Sequence, residues 1–228
     1  MEKLVYLISA NREASGDALR EGLIEIAVPV IHRSGGLRVS VNVDDSAVKM
    51  GDGVRISRGT PPIRAMVSFW MENSDDRKPC EEALRQDQKL IAGYLVAESR
   101  PLVSDPVPGE RSQGANLVTR IHKKFDISHE EFIDCWTIEH RQVAVETQST
   151  FAYVRNEVLR TLTPGTPQCD GIVEESFPIE ALTDPHVWYN CDEEAEYKRR
   201  LERMMNSVNA FLDLEQLESI PMSEYRLD

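Results

Sequence analysis

Two kinds of apolar pattern follow each other along this chain, and they do so twice in the same order. Lys3–Ser9, KLVYLIS, reads as a strand. From Ala14 to Ile31 apolar Leu19, Leu23, Ile26, Ala27 and Val30 recur at helical spacing, and Gly35-Gly36 ends that run. Leu37–Val43 alternates as a strand, residues 44 to 61 form an Asp-, Gly- and Ser-rich loop, and Ile63–Met71 is a strongly apolar strand. Pro79 opens a short helix reaching about Leu90, and a strand lies near Gly93–Ser99.

The second half repeats the scheme. Asn116–Lys123 is a strand. Ser128 with Glu131 makes a capping box for a helix running to Thr147, which buries Phe132, Ile133, Trp136, Val143 and His140. Thr150–Val158 and Gly171–Phe177 are strands, Pro178-Ile179 opens a helical turn, Asp192 caps a helix reaching Phe211, and Met222–Leu227 closes as a strand. The expected domains are residues 1–104 and 116–228, joined by the Pro/Gly linker 105–115. Each half is strand, helix, strand, strand, helix, strand, the split βαβ of a ferredoxin-like unit. One such sheet leaves a face bare. The predicted class is therefore α+β, with two ferredoxin-like units packed as a barrel around a central cavity within one chain, and either a monomer or a homodimer of barrels.

Bulk properties narrow the function. The 228 residues are 41% hydrophobic with a net charge of −13, which repels phosphate backbones and anionic lipid, so neither nucleic acid nor membrane is an expected partner. No run approaches the roughly eighteen apolar residues of a membrane span. Cys80, Cys135, Cys169 and Cys191 form no CxxC pair, and the N-terminus reads as a strand rather than a leader, so reduced cysteines and a cytoplasmic location are expected. The histidines and carboxylates lack metal-ligand spacing, and no glycine-rich phosphate loop occurs, so no metal and no cofactor is predicted.

Candidate chemistry centres on SHEEFIDCWTIEH, residues 128–140, which puts Trp136 and His140 one turn apart on a buried face. A histidine there can act as acid or base, or can simply fix the helix through its ring nitrogens, and Trp136 can stack on a ligand or pack. Strand alternation adds a charged face: Arg120 with His122, Glu174 with Ser176, and Glu224 with Arg226. Turned inward, these residues ring a cavity and Glu174 can orient His140. Turned outward, they are solvated. Tyr153 offers a phenol, on the strand face opposite Asn156.

HEEFIDCWTIEH, YVRNEV, CDGIVEESF, FLD and MSEYRL, over about residues 117 to 228, together resemble the EthD-domain family of the dimeric α+β barrel superfamily. The first half resembles it only in element order, since Ile24 to Ile31 is mostly aliphatic where the Trp and His stand in the second half. The resemblance implies a cavity for a hydrophobic or aromatic small molecule. By the resemblance His140 is the helix histidine facing that cavity, and Asn156 is structural or site-adjacent. With the charged strand faces turned inward, Glu174 is the carboxylate partner of His140, and Trp136, Arg120, His122, Tyr153, Asn156 and Glu224 are the candidate substrate contacts. Two readings follow: a cofactor-independent dehydratase, cyclase or monooxygenase with His140 as acid/base, or a non-catalytic protein that stores or delivers such a molecule.

Overall fold

A computed structural model of the chain describes residues 1–11, 13–86 and 90–228. Its framework is eight strands: β1 Glu2–Ser9, β2 Leu37–Val43, β3 Ile63–Met71, β4 Leu90–Leu102, β5 Ala115–Ile121, β6 Ala152–Thr161, β7 Gly171–Phe177 and β8 Glu218–Arg226. They run in the order β1-β3-β2-β8-β5-β7-β6-β4 and close back on β1 with every neighbour antiparallel. Each half supplies four adjacent strands. The pairs β2–β8 and β4–β6 join the halves, so one chain closes its own barrel and leaves no open sheet edge.

The helices lie outside the barrel. In the first half α1 Gly16–Gly22 and α2 Val28–Arg33 are joined by a π-helical turn, Leu23–Ala27, and α3 Lys78–Leu84 follows β3. In the second, α4 His129–Asp134 and α5 Arg141–Thr147 are joined by the π turn Cys135–His140. A short α6, Pro185–Trp188, precedes the long α7, Glu194–Phe211. The capping box is complete: Glu131 N donates to Ser128 Oγ at 3.1 Å, and Ser128 N donates to Glu131 Oε2 at 2.8 Å.

Strand alternation divides the buried residues between two sides of one wall. Helix-side positions of the first half pack as Leu4, Tyr6, Val41, Val67 and Phe69 against Leu23, Ala27 and Ile31. In the second half Ile121, Tyr153 and Val173 meet Phe132, Trp136 and Phe211. The interior is filled by Val5, Leu7, Met66, Tyr94, Val118, Ile172, Ile220 and Met222, as expected of an eight-stranded barrel that is just wide enough for its own side chains.

Several boundaries differ from the sequence expectations. The helix predicted from Pro79 to Leu90 ends at Leu84, and its positions 87–89 lie outside the described residues. β4 is thirteen residues long rather than seven, because it pairs with β1 at one end and with β6 along the rest. α7 takes Glu193, not Asp192, as its N-cap, with no side-chain cap bond. The loop 44–61 contains a 3-10 turn, Ser46–Gly53. All four cysteines are free, and among the described residues no helix is long and apolar enough to cross a membrane.

Candidate functional site

The face of α4–α5 that buries Trp136 and His140 does not look into the barrel. It covers the outer surface of β5, β6 and β7, so the expectation of a central cavity with His140 on its wall gives way to one between sheet and helices. That cavity, about 290 Å³, is lined by Trp136, His140, Tyr153, Val173 and Glu175, with Met204, Val208 and Phe211 of α7 as its roof. The π turn gives the helix an extra residue in one turn, and the turn ends on His140. Gly171 makes room for the indole, since a Cβ there would lie 2.5 Å from the Trp136 ring.

His140 is held on one nitrogen only. Its Nδ1 lies 3.0 Å from Ser207 Oγ of α7, and its ring packs on Phe211 with centroids 5.2 Å apart. Nε2 has no protein partner among the described residues. Burial, helped by the Arg155 guanidinium, pushes the imidazole down to about 4, so at neutral pH the ring is uncharged and offers one donor and one acceptor. Arg155 is itself tied down, donating from Nε to Ser99 Oγ at 3.0 Å and resting over the Tyr153 ring.

Glu175 is the unexpected member. It sits opposite Tyr153 in the β6–β7 ladder and opposite Leu117 in β5–β7, on the helix side of the wall. Its Oε1 is fully enclosed and has no hydrogen-bond partner among the described residues. The residue keeps some accessible surface because it lines the cavity, yet protein surrounds the carboxyl closely enough that burial alone pushes it up to about 7. Burial and the neighbouring Glu175 carboxylate also raise the Tyr153 phenol well above its ordinary value, so it stays a donor.

Glu174 points the other way. The expectation that it orients His140 fails because one step along a strand crosses the wall. Inside the barrel Glu174 Oε1 accepts from Asn156 Nδ2 at 2.9 Å and lies 3.5 Å from Lys3 Nζ. Asn156 also accepts from Lys3 at 2.8 Å and donates to the Ile172 carbonyl, which makes it a strut of the barrel rather than a ligand contact. Arg120 is paired with Glu218 at 2.6 Å, and Glu224 with Arg226 at 3.0 Å, both on the inner face. His122 stands past the end of β5, with burial and Arg120 holding its pKa below the ordinary value. None of Glu174, Asn156, Arg120, Glu224 and His122 lines the His140 cavity. Trp136, His140 and Tyr153 are the sequence candidates that meet there. Glu175 stands on the face that strand alternation alone does not assign to the helices.

The first half is an internal control. Counted from the caps Ser15 and Ser128, Ala27 stands where His140 does and Leu23 where Trp136 does. In the ladders Leu4 faces Phe69 as Leu117 faces Glu175. There the same space is solid core, with Leu23, Ala27 and Phe69 all almost fully buried. The architecture is thus complete without polar groups at these positions, so stability alone does not require His140 and Glu175.

Residues 124–215 match the family model described as the EthD domain. No curated protein matches the chain. Among solved structures, an anthrone oxidase-like protein shares 12% identity at a TM-score of 0.57, covering 99% of this chain and 93% of that one. A candidate monooxygenase from Lactobacillus acidophilus NCFM shares 10% identity at a TM-score of 0.52, covering 100% of this chain and 97% of that one. At these identities the likeness is one of fold. The stretch that matches the EthD domain model carries Trp136, His140, Tyr153 and Glu175.

Proposed function

We propose that this protein is an enzyme that moves a proton on a hydrophobic carbonyl compound, with Glu175 as the acid/base. The observation that supports this most is a buried carboxyl whose Oε1 has no partner among the described residues, in a mostly apolar cavity, tuned close to neutral pH. An acid/base works best when its pKa lies near the working pH, which favours Glu175 over His140 for the transfer. Ionised Glu175 takes a proton from a carbon next to the carbonyl, or conjugated with it through an arene. The electron pair moves onto the carbonyl oxygen, where the Tyr153 phenol and a neutral His140 N–H can donate hydrogen bonds. The resulting enolate can expel a neighbouring hydroxyl as water when protonated Glu175 returns its proton to it, form a bond to a second carbonyl carbon, or give up electrons to dioxygen with formation of a C–O bond. Two structural neighbours carry oxygenase or oxidase names, consistent with the last of these. The first step is common to all three.

Anthrone, the ketone in one neighbour's name, is a suitable probe because its methylene protons, across the central ring from the carbonyl, are acidic: their loss delivers the electron pair to the carbonyl oxygen through the arenes. Exchange of those protons into deuterated water, followed by NMR, reads the first step without knowledge of the product. Wild-type protein should accelerate the exchange. His140→Phe preserves the packing on Phe211 and removes both nitrogens, and it should slow exchange at least tenfold. A folded His140→Phe protein exchanging at the wild-type rate would remove His140 from the mechanism. Binding without any acceleration would favour the carrier reading.

A further inference from the structure

The cavity at Glu175 is small for a ligand-binding site, at the lower end of the roughly 300–1,000 Å³ range of small-molecule pockets. It does not end there. A second apolar cavity of about 640 Å³ adjoins it on the same outer face of the sheet, and the two share Ile56, Thr119, Gln148 and Leu217 as lining. One wall of this lobe comes from the first half: Met50, Val54 and Ile56 of the segment that crosses over β8. The opposite wall is Leu182, Pro185 and Trp188. Trp188 stacks on Phe177, centroids 4.4 Å apart, which gives that wall a flat aromatic surface.

The crossing segment is fastened, not draped. Ile56 and Ser219 exchange two backbone hydrogen bonds at 2.8 Å, and the Arg58 and Gly59 amides donate to Glu218 Oε1 at 2.9 and 3.1 Å. Ile56 and Met50 are nevertheless largely exposed at the rim, apolar surface that water does not favour. At the joint between the lobes the Gln148 carboxamide has no hydrogen-bond partner among the described residues, while Thr119 is already bonded to Ser219.

We infer that the substrate is longer than the Glu175 cavity, a flat apolar molecule of several rings. Its reacting carbonyl lies at Glu175, its middle passes Gln148, and its far end lies between Trp188 and the first half's segment 46–56. The first half, although it has no acid/base site of its own, then selects substrates by length. This inference rests on the proton-transfer reading for which end reacts, but the length selection is a separate property.

The test compares anthrone, with three fused rings, against phenylacetone, with one. Gly53 lines the lobe, and its missing Cβ would meet nothing within 4 Å, so Gly53→Trp can narrow the lobe without forcing the backbone. Gly53→Trp should lower the ratio of kcat/KM for anthrone over phenylacetone at least tenfold. Val54→Ala, which widens the lobe, should raise it. Ratios unchanged in both variants would overturn the inference. If neither ketone exchanges with wild type, the proton-transfer reading fails, and the same comparison is then made on dissociation constants from calorimetry. A preference for anthrone that Gly53→Trp abolishes would sustain the lobe in that case. Equal affinities, or no binding of either ketone, would reject it.

Discussion

Glu175→Gln is expected to lose at least a hundredfold in ketone exchange and, above neutral pH, to be more stable than wild type. The first effect follows from removing the acid/base, a role worth roughly 10²–10⁴ in rate. The second follows from linkage. In the unfolded chain the carboxyl titrates near 4.5, and in the folded protein burial raises this to about 7. Between these values the unfolded state has lost its proton and the native state keeps it, so stability falls as pH rises from about 4.5 to 7 and stays low above. At about 1.36 kcal/mol per pH unit the limit is about 3 kcal/mol, and water entering the cavity reduces it to about 1–3 kcal/mol. Glutamine does not titrate, so the variant escapes the loss. Urea midpoints should coincide near pH 4 and diverge by pH 8, with the variant higher. The wild-type exchange rate should rise with pH through about 7, as the carboxylate forms. A variant that is less stable at pH 8, or equally active, would refute the role given to Glu175. A residue that costs stability and has an apolar counterpart, Phe69, in the silent half fits a site kept for function.

Much of the scaffold was legible because it is encoded locally. The capping box at Ser128 and Glu131, and the spacing of Phe132, Trp136 and His140, place that helix face without reference to anything distant. The same holds for strands such as Leu37–Val43, Ile63–Met71 and Gly171–Phe177, whose bounds match. What the sequence could not give was the side of the wall. Periodicity puts Glu174 and Glu175 on opposite faces but does not say which face meets the helices. In β7 both faces are buried, so the usual contrast of polar outside and apolar inside is missing. The π turns were also hidden, because an inserted residue shifts helical spacing by less than the tolerance of the pattern. A direct comparison of the halves was the available signal: MVSFWM set against VEESF puts a phenylalanine opposite Glu175, at a position the fold fills with carbon when nothing else is asked of it.

Lys3→Met is expected to destabilise the protein by about 3–5 kcal/mol while leaving the site at Glu175 chemically intact. Lys3 is 4% exposed, and its ammonium serves Glu98, Glu174 and the Asn156 side chain inside the barrel. Burial alone would raise Glu98, but Lys3 and Arg100 outweigh it and hold the carboxyl below its ordinary value. Methionine fills similar volume and removes the charge. Glu98 then keeps Arg100, whose Nε donates to it at 2.6 Å, but among the described residues Glu174 is left with only the neutral Asn156 donor. Removing one partner of a buried ion pair costs roughly 3–5 kcal/mol, mostly for the charge left behind. If that is the origin, adding Glu174→Gln to Lys3→Met should recover at least about 1 kcal/mol, because a neutral amide can still bond Asn156. Urea unfolding of the two single variants and the double closes this cycle. Glu174→Gln alone should keep the wild-type exchange rate, whereas Glu175→Gln loses it. Two adjacent carboxylates thus give opposite outcomes: one holds the barrel shut, and the other faces the cavity with no partner. Loss of exchange in a folded Glu174→Gln protein would mean that the barrel interior, not the helix side, carries the chemistry.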